Sequence, residues 1–352
     1  CSNNLEAPAL TDPSTNFQVQ LYTGNGGTQS ITFGGNSDMQ PDIVLLKDRE
    51  GNSHNPILFD AARGVQKYLQ TATNAVEADD SSTLTAFNSD GFSLSTAEWV
   101  NESSVTFVSW NWAAGNSGAA NTAGTINTTT TYVDTTAGIS VSTFEGNGTA
   151  GQTVGHGLGV KPDVIIIKNR DGTEQWIVYH TAQGATKYGL LNAIAAFATS
   201  NGAWNDVEPT TTLVTLGGGG FGTNVSGNSM IMYAFAEVAG FSEFGIYTGN
   251  GNVDGPDIYC GFKPALFVSK RVDSTSDWIV WDNKRSTYNV NSERLTWSSD
   301  IAEGSANLDF LSNGVKIRNS DTSRNASGGT YIFMAFAESP FGGEDVSPAT
   351  AR

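Results

Sequence analysis

The chain has 352 residues, a formal net charge of −17 and 18 lysine and arginine residues that are scattered along it. A surface of that sign repels phosphate backbones, so nucleic-acid binding is not expected. Forty glycines beside 15% charged and 10% aromatic residues indicate many short strands joined by tight turns, and they argue against wholesale disorder. No apolar run approaches the length of a membrane span.

The chain opens with a lead-in, residues 1–16, that Pro8 and Pro13 punctuate. Two alternatives stay open for Cys1: a processed and acylated lipoprotein terminus, or an internal point of a longer polypeptide. Cys260 lies in an apolar context and is predicted to be a small buried residue. Two cysteines this far apart give neither a disulfide framework nor a metal-binding spacing.

One sequence pattern then occurs three times, with a period of about a hundred residues. Each copy begins with a Gly-Asn-Gly turn, continues with a proline-led apolar run that ends in lysine, and closes in an alternating aromatic strand. The turns lie at residues 22–26, 144–148 and 247–251, the apolar runs at 41–47, 162–168 and 264–270, and the closing strands at 107–112, 230–235 and 331–336. This period is too long for a solenoid, so each copy is predicted to be a small domain.

The strand supply of each copy predicts an all-β fold of three tandem antiparallel β-sandwich-like repeats with short helical patches only. A mid-copy patch, residues 61–68 in the first copy and 189–197 in the second, is expected to be helical or irregular. The aromatic side chains of the closing strands, Trp110 and Trp112 among them, are expected in the core. The predicted boundaries are 17–115, 138–240 and 241–342 for the repeats, 116–137 for a linker with a bridging strand, and 343–352 for a tail.

Reactive side chains do not recur with the pattern. His54, His156 and His180 fall at different offsets in their copies, without partners at metal-ligand spacing, so neither a catalytic residue set nor a metal site is predicted. Glu237 and Glu338 each end a closing strand and are interpreted as edge markers and not as the acid pair of a glycosidase.

Two further sets of acidic residues are interpreted as structural. Glu77 and Glu303 precede phenylalanine-rich hairpins and are expected to be turn or cap residues. Carboxylates in hairpin loops, such as Asp48 and Asp273, are expected to be solvated, and calcium bound in these loops is the alternative. No other cofactor is expected.

Three tryptophans lie in polar loop contexts: Trp99, Trp204 and Trp297. An exposed indole beside amide, carboxylate and hydroxyl groups is typical of a surface that stacks on sugar rings. The alternative for each is a loop aromatic that packs back over the core. These three residues are the predicted glycan-binding residues.

Several phrases resemble those of tail-fibre-like structural proteins of tailed bacteriophages, especially from aquatic hosts. They include residues 5–14 leading into the first Gly-Asn-Gly turn, Gly-His-Gly-Leu-Gly-Val-Lys-Pro at 155–162, and the closing run at 328–338. The resemblance covers residues 5–341. It implies a virion component without catalytic residues, bound to other virion proteins, and most simply a homotrimer.

These observations predict a non-enzymatic virion structural protein, a tail fibre, spike or other surface appendage, that presents β domains for host attachment through glycan recognition. Its expected location is the virion surface. The alternatives are a capsid-decorating or filament-forming subunit without a ligand, a polysaccharide depolymerase, and a bacterial surface lipoprotein or adhesin.

Overall fold

A computed structural model of the chain describes residues 8–339, so Cys1 and the predicted tail at 343–352 lie outside the described residues. The predicted all-β class is confirmed: antiparallel strands dominate, and the α-helices of the described part are single turns. Among these residues, no helix is both long enough and apolar enough to cross a membrane.

The first repeat folds as one sheet covered by a smaller one. The large sheet has the order β1-β9-β3-β4-β5-β6 and the small sheet the order β2-β8-β7. The elements are β1 (Phe17–Thr23), β2 (Gln29–Ile31), β3 (Ile43–Asp48), β4 (Ile57–Asp60), β5 (Lys67–Gln70), β6 (Ala78–Asp79), β7 (Leu84–Asn88), β8 (Gly91–Leu94), α1 (Glu98–Asn101) and β9 (Thr106–Trp112).

The second repeat has the same central strand order, extended on one edge by two additional strands. Its large sheet runs β10-β11-β12-β19-β14-β15-β16-β17 and its small sheet is β13-β18. The elements are β10 (Gly118–Ala119), β11 (Thr128–Asp134), β12 (Ile139–Glu145), β13 (Thr153–Gly155), β14 (Val164–Asn169), β15 (Ile177–His180), β16 (Lys187–Leu190), β17 (Ala198–Thr199), α2 (Asn201–Trp204), β18 (Leu213–Thr215) and β19 (Ser229–Phe235).

In the third repeat the two layers merge into one sheet of order β20-β27-β22-β23-β24-β25-β26-β21. The sheet continues through β24, which carries a register shift between Asn291 and Glu293 against β25. The elements are β20 (Ser242–Thr248), β21 (Asp257–Tyr259), β22 (Leu266–Arg271), β23 (Ile279–Asp282), β24 (Asn291–Thr296), β25 (Gly304–Leu311), β26 (Gly314–Ile317), α3 (Thr322–Asn325) and β27 (Thr330–Phe336).

The mid-copy patches are not helical. Residues 67–70 and 187–190 form β5 and β16, which pair with the strands before them, and the remainder of each patch is turn or irregular chain. The pairing of β5 with β4 and of β16 with β15 satisfies backbone groups that a helix would otherwise have to satisfy internally. The alanine-rich composition around residue 195 suggested a helix, and tertiary pairing overrides that preference.

Each large sheet is buried on both faces because it separates two apolar cores. In β3, Ile43 and Leu45 point into a central core, while Val44 and Leu46 point into the outer core of the first repeat. This is the alternation that a β-strand imposes on its side chains. The central core takes side chains from all three repeats, whereas the outer cores of the second and third repeats are their own.

An aromatic triad marks the centre of the molecule. Trp112, Phe235 and Phe336 end the closing strands β9, β19 and β27, and their ring centroids lie 5.7–6.3 Å apart in all three pairings. Because these residues are equivalent in the three repeats and each contacts the other two, they lie around an approximate threefold axis. The three repeats therefore form a closed, pseudo-threefold ring and are not beads on a string.

Three buried lysines join each repeat to the next around this ring. The ammonium of Lys168 donates to the backbone carbonyl of Asn74 at 3.3 Å, that of Lys270 to Ile194 at 3.0 Å, and that of Lys47 to Asp300 at 3.2 Å. Each acceptor occupies the same position in its repeat, three residues beyond the position of Thr71. The lysines that end the proline-led runs thus close the ring.

Ion pairs reinforce two of the three interfaces. Arg170 contacts Glu77 between the second and first repeats at 2.8 Å, and Arg49 contacts Glu303 between the first and third. In the described part of the chain, the interface between the third and second repeats has no such ion pair, because Val272 and Phe197 occupy the equivalent positions. There the Phe197 amide donates to the Val272 carbonyl at 3.1 Å. The interpretation of Glu77 and Glu303 as turn or cap residues is therefore wrong, because their side chains neutralise arginines of a neighbouring repeat.

The repeated Gly-Asn-Gly turn is a structural feature. In the first repeat, the side chain of buried Asn101 accepts from the Asn25 amide at 3.0 Å and donates to the Gly27 carbonyl. A Cβ at Gly24 would lie 2.1 Å from the Glu102 carbonyl oxygen, so only glycine fits. Asn224 and Asn325 hold the other two turns in the same way.

Candidate functional site

Two of the three predicted glycan-binding tryptophans are inside the protein. Trp204 is 1% exposed and packs edge-on against Tyr179 in the outer core of the second repeat. Trp297 is 3% exposed and meets Trp110 and Trp112 in the central core. Neither indole presents a face to solvent, so the glycan-binding prediction is wrong for these two residues, and the packing alternative holds.

Trp99 is different, because it is only half-buried. It lies on α1, and its ring centroid is 6.3 Å from that of Tyr68 on β5. Its indole Nε1 is enclosed, with no hydrogen-bond partner within residues 8–339. Whether Trp99 binds a glycan stays a prediction; the structure packs it beside Tyr68 on the outer core of the first repeat.

Strand register identifies one position of this layer that recurs in all three repeats. Leu58 pairs with Leu69, Val178 with Gly189, and Val280 with Leu295. The residue immediately before each second partner is Tyr68 in the first repeat, Tyr188 in the second and Arg294 in the third. Because side chains alternate along a strand, these three residues face away from the central core, toward the outer layer.

In the second repeat this position borders an open cleft of about 260 Å³. We call it the second-repeat cleft. Half-buried Tyr188 meets half-buried Phe221 edge to face, with centroids 4.6 Å apart and planes at 89°. The residues that line the cleft are Thr173, Glu174, Gln175, Ile177, Tyr188, Leu190, Gly220 and Phe221.

A glycine-rich loop keeps this cleft open. Residues 217–220 follow β18 and lead through a 3-10 turn, Gly219–Phe221, toward Asn224, which holds the Gly-Asn-Gly turn of this repeat. A Cβ at Gly217 would lie 1.7 Å from the Gly202 carbonyl oxygen, so the loop packs by its backbone, whereas Gly220 has no atom within 4 Å of its Cβ position. The rim at Gly220 is therefore bare main chain beside the aromatic pair.

The polar groups of the cleft suit binding better than bond cleavage. Glu174 accepts a hydrogen bond from the Asn169 side chain at 2.7 Å, and Gln175 accepts one from Asn192. Glu174 is the one carboxylate among the lining residues, whereas glycoside hydrolysis needs two that face one bond. Aromatic edges beside a carboxylate, an amide and the hydroxyl of Thr173 are the groups that contact a sugar ring.

The strand-end acids lie elsewhere. Glu338 pairs with Lys284 at 2.9 Å. Burial, followed by the charge of Glu237 and a hydrogen bond to it, raises the pKa of Glu243 to about 8, so Glu237 stands beside another acid on the strand next to it. Neither residue lines the second-repeat cleft.

The histidines and the acidic loops are not brought together as metal ligands. Burial lowers the pKa of both His156 and His180 to about 4, so both are neutral near pH 7. Buried Asp48 contacts Lys47, and Asp273 contacts Arg271 at 2.7 Å. Within residues 8–339, no three His, Cys, Asp or Glu side chains are grouped so that they could hold a metal ion.

Sequence reasoning missed Tyr188, Phe221 and Arg294. A signal for the first was present, since Lys-Tyr precedes an aliphatic residue or glycine at 67–68 and at 187–188. Aligning the copies on strand register would also have placed Arg294 at this position. Phe221 gave no such signal, because the glycine-rich sequence before it is not repeated in the other copies.

Comparison with known proteins agrees with one continuous unit. No curated protein and no solved structure matches the chain. The family described as Domain of unknown function (DUF7483) matches residues 12–340, which takes in all three repeats. The chain therefore belongs to the DUF7483 family.

Proposed function

We propose that this chain is a non-enzymatic structural protein of a bacteriophage virion, displayed on the particle surface, where it contacts glycans of the host. The virion assignment comes from the resemblance of the repeated phrases to tail-fibre-like proteins. The glycan assignment comes from one feature, the second-repeat cleft with its half-buried Tyr188–Phe221 edge-to-face pair.

The ring supports a display role in physical terms. Its interfaces are made of buried lysines, ion pairs and a shared aromatic core, so the outer surfaces of the three repeats are held at fixed positions relative to one another. Fixed spacing lets weak sites act together on a repetitive surface polymer. A homotrimer, which the resemblance implies, would add more copies of the ring and stays a prediction.

Binding is tested with the purified chain on an array of bacterial surface glycans, followed by titration of the best oligosaccharide in solution. Wild type is expected to bind with millimolar to micromolar affinity, and Tyr188→Ala and Phe221→Ala to weaken binding about fivefold, since a stacked ring contributes on the order of 1 kcal/mol. Glu174→Gln keeps the shape of the cleft and separates hydrogen bonding from stacking. Tyr288→Ala, which removes a tyrosine that is 78% exposed and outside the cleft, is the matched control.

Two results would count against the proposal. Absence of binding to every glycan by the wild-type chain would favour the ligand-free capsid-decorating or filament subunit. Release of reducing ends from a bound polysaccharide would instead favour the depolymerase.

A further inference from the structure

Three strands occupy equivalent places in the large sheets of the three repeats. β1, β12 and β20 each pair antiparallel with the closing strand of their own repeat. In such a pair every second residue turns its backbone N–H and C=O groups away from the partner strand. The outer side of each of these strands is therefore covered by a further strand, capped by side chains or left bare.

The second repeat covers this outer side with a strand from the linker. β11 lies antiparallel along β12, and β10 continues the sheet beyond it. Val133 of β11 lies opposite Ser140, and Thr130 lies opposite Thr143. The second repeat therefore shows, within the same chain, how an added strand fits at this place in the fold.

The first repeat caps part of the same edge with side chains. The Gly24 amide donates to the Val105 carbonyl on the side of the closing strand, so Leu21 and Thr23 turn their backbone groups outward. The side-chain amide of Gln20 donates to the Leu21 carbonyl at 2.8 Å, and that of Gln29 donates to the Thr23 carbonyl at 3.3 Å. Two outward carbonyls of β1 are thus already occupied.

In the third repeat the same edge is bare. β20 is the last strand of its sheet, and the Ala337 amide donates to the Phe241 carbonyl, which fixes which residues bond to β27. The backbone groups of Phe244, Ile246 and Thr248 consequently point away from β27. Among residues 8–339 none of these outward groups has a hydrogen-bond partner, and the Ile246 side chain is 50% exposed.

Acidic side chains beside β20 indicate the charge of the strand that fits here. Burial, followed by the charge of Glu237, a hydrogen bond to it and the charge of Asp163, raises the pKa of Glu243 on β20 to about 8. A lysine or arginine on an added strand would neutralise this group. A second copy of the chain fits less well, because it brings a net charge of −17 to an acidic edge.

We infer that β20 is a docking edge for an extended segment of a partner protein, which adds to the third-repeat sheet as an antiparallel strand and carries a basic residue opposite Glu243. Main-chain hydrogen bonds to Phe244, Ile246 and Thr248 supply the affinity, and the added strand covers the exposed side of Ile246. This inference goes beyond the proposed function, because it concerns attachment of the chain to another protein and does not depend on glycan binding.

Peptides with the sequence of the linker strand are the probes. Two fluorescent peptides are titrated against the full chain: residues 126–136 in their natural sequence, and the same peptide with Val133→Lys. Val133 lies opposite Ser140, whose place in the third repeat is taken by Glu243. The lysine peptide is expected to bind about threefold more tightly than the natural one, with an affinity that falls as salt rises.

Hydrogen exchange locates the bound peptide on the chain. The amides of Phe244, Ile246 and Thr248 are expected to exchange fast in the free chain and to be protected when the lysine peptide is bound. Protection confined to other parts of the chain would place the peptide elsewhere and overturn the inference.

Ile246→Pro tests the edge itself, because it removes an outward N–H that β27 does not use, and proline is tolerated at such a place on an edge strand. It should weaken binding of the lysine peptide about tenfold, since one hydrogen bond is lost and the ring obstructs the added strand. Ile246→Thr, the matched control, keeps the N–H and should bind within about twofold of wild type. Glu243→Lys should reverse the preference, so that a Val133→Glu peptide binds more tightly than the lysine peptide, and this reversal guards against a folding defect.

Four further results would overturn the inference. They are absence of binding by both peptides, equal affinity for the natural and lysine peptides, binding that Ile246→Pro leaves unchanged, and slow exchange of the three amides in the free chain. The last would show that another part of the chain, or a second copy, already covers β20. Glycan binding and its loss in Tyr188→Ala bear on none of these outcomes, so failure of the proposed function is visible separately.

Discussion

Replacing His180 should make the folding stability of the three-repeat ring less sensitive to acid. This residue ends β15, is 1% exposed, and lies between the second and third repeats. Its Nδ1 accepts the Ala182 amide at 3.2 Å, so the proton of the neutral ring is on Nε2, which donates to the Phe333 carbonyl at 3.1 Å. A second proton would have to be placed on Nδ1, against an N–H group, inside the core.

The magnitude follows from proton linkage. Burial lowers the pKa of His180 from 6.5 to about 4, opposed by the carbonyl of Phe333. Between these two pH values the unfolded chain binds a proton that the native chain does not, so the contribution of His180 is fully present above pH 6.5 and is lost as pH falls toward 4. At about 1.4 kcal/mol per pH unit, the loss amounts to about 3 kcal/mol.

The assay is urea unfolding of wild type and His180→Gln at pH 7, 6, 5 and 4. Glutamine keeps an amide donor near Phe333 and does not titrate, so the stability of wild type relative to the variant should fall by about 3 kcal/mol between pH 7 and pH 4. Carboxylates titrate in both proteins and change both stabilities alike, so the contribution of His180 is the difference between the two unfolding free energies at each pH. Gln183→Ala, one turn away, should differ from wild type by a constant amount, and parallel curves for His180→Gln would refute the reasoning.

Two further substitutions test the turn and the ring closure by chemical denaturation. Gly24→Ala should lower the free energy of unfolding by about 1–3 kcal/mol, since its Cβ would lie 2.1 Å from the Glu102 oxygen. Gly27→Ala in the same turn, whose Cβ would have its nearest atom at 3.7 Å, should change it by no more than about 0.5 kcal/mol. Equal effects of the two substitutions would contradict the steric account. Lys168→Met should cost about 3 kcal/mol by leaving the Asn74 carbonyl and two others without a donor, and a neutral result would show that water replaces the ammonium.

Local patterns were sufficient to predict the strands. The apolar runs at 43–46 and 164–167 are strands buried on both faces, and the Asp90-Gly91 and Asn313-Gly314 dipeptides lie at hairpin turns, where each glycine begins the return strand. These signals depend on residues close in sequence, which fix strand period and turn geometry. The prediction that Cys260 is buried is confirmed for the same reason, since it is 2% exposed in an apolar segment.

Tryptophan environment could not be predicted from neighbours in sequence. Trp297 is followed by Ser298 and Ser299, yet it is covered by Trp110 and Trp112 of another repeat. The partners that bury it are more than 180 positions away, so a polar flank says nothing about its exposure. The same limitation hid the role of Glu77, whose arginine partner belongs to the next repeat.

The lysine and aromatic contacts that close the ring recur in all three copies, whereas Val272 and Phe197 replace the ion pair at one of the three interfaces. Lysine holds the equivalent carbonyl at all three interfaces, and aromatic rings meet on the axis in all three repeats. The outer-layer position before the second partner of the β4–β5 type pairing instead changes from Tyr68 to Tyr188 to Arg294. Substitution at this position therefore changes the chemistry of the outer layer of a repeat without changing the lysine and aromatic contacts that close the ring.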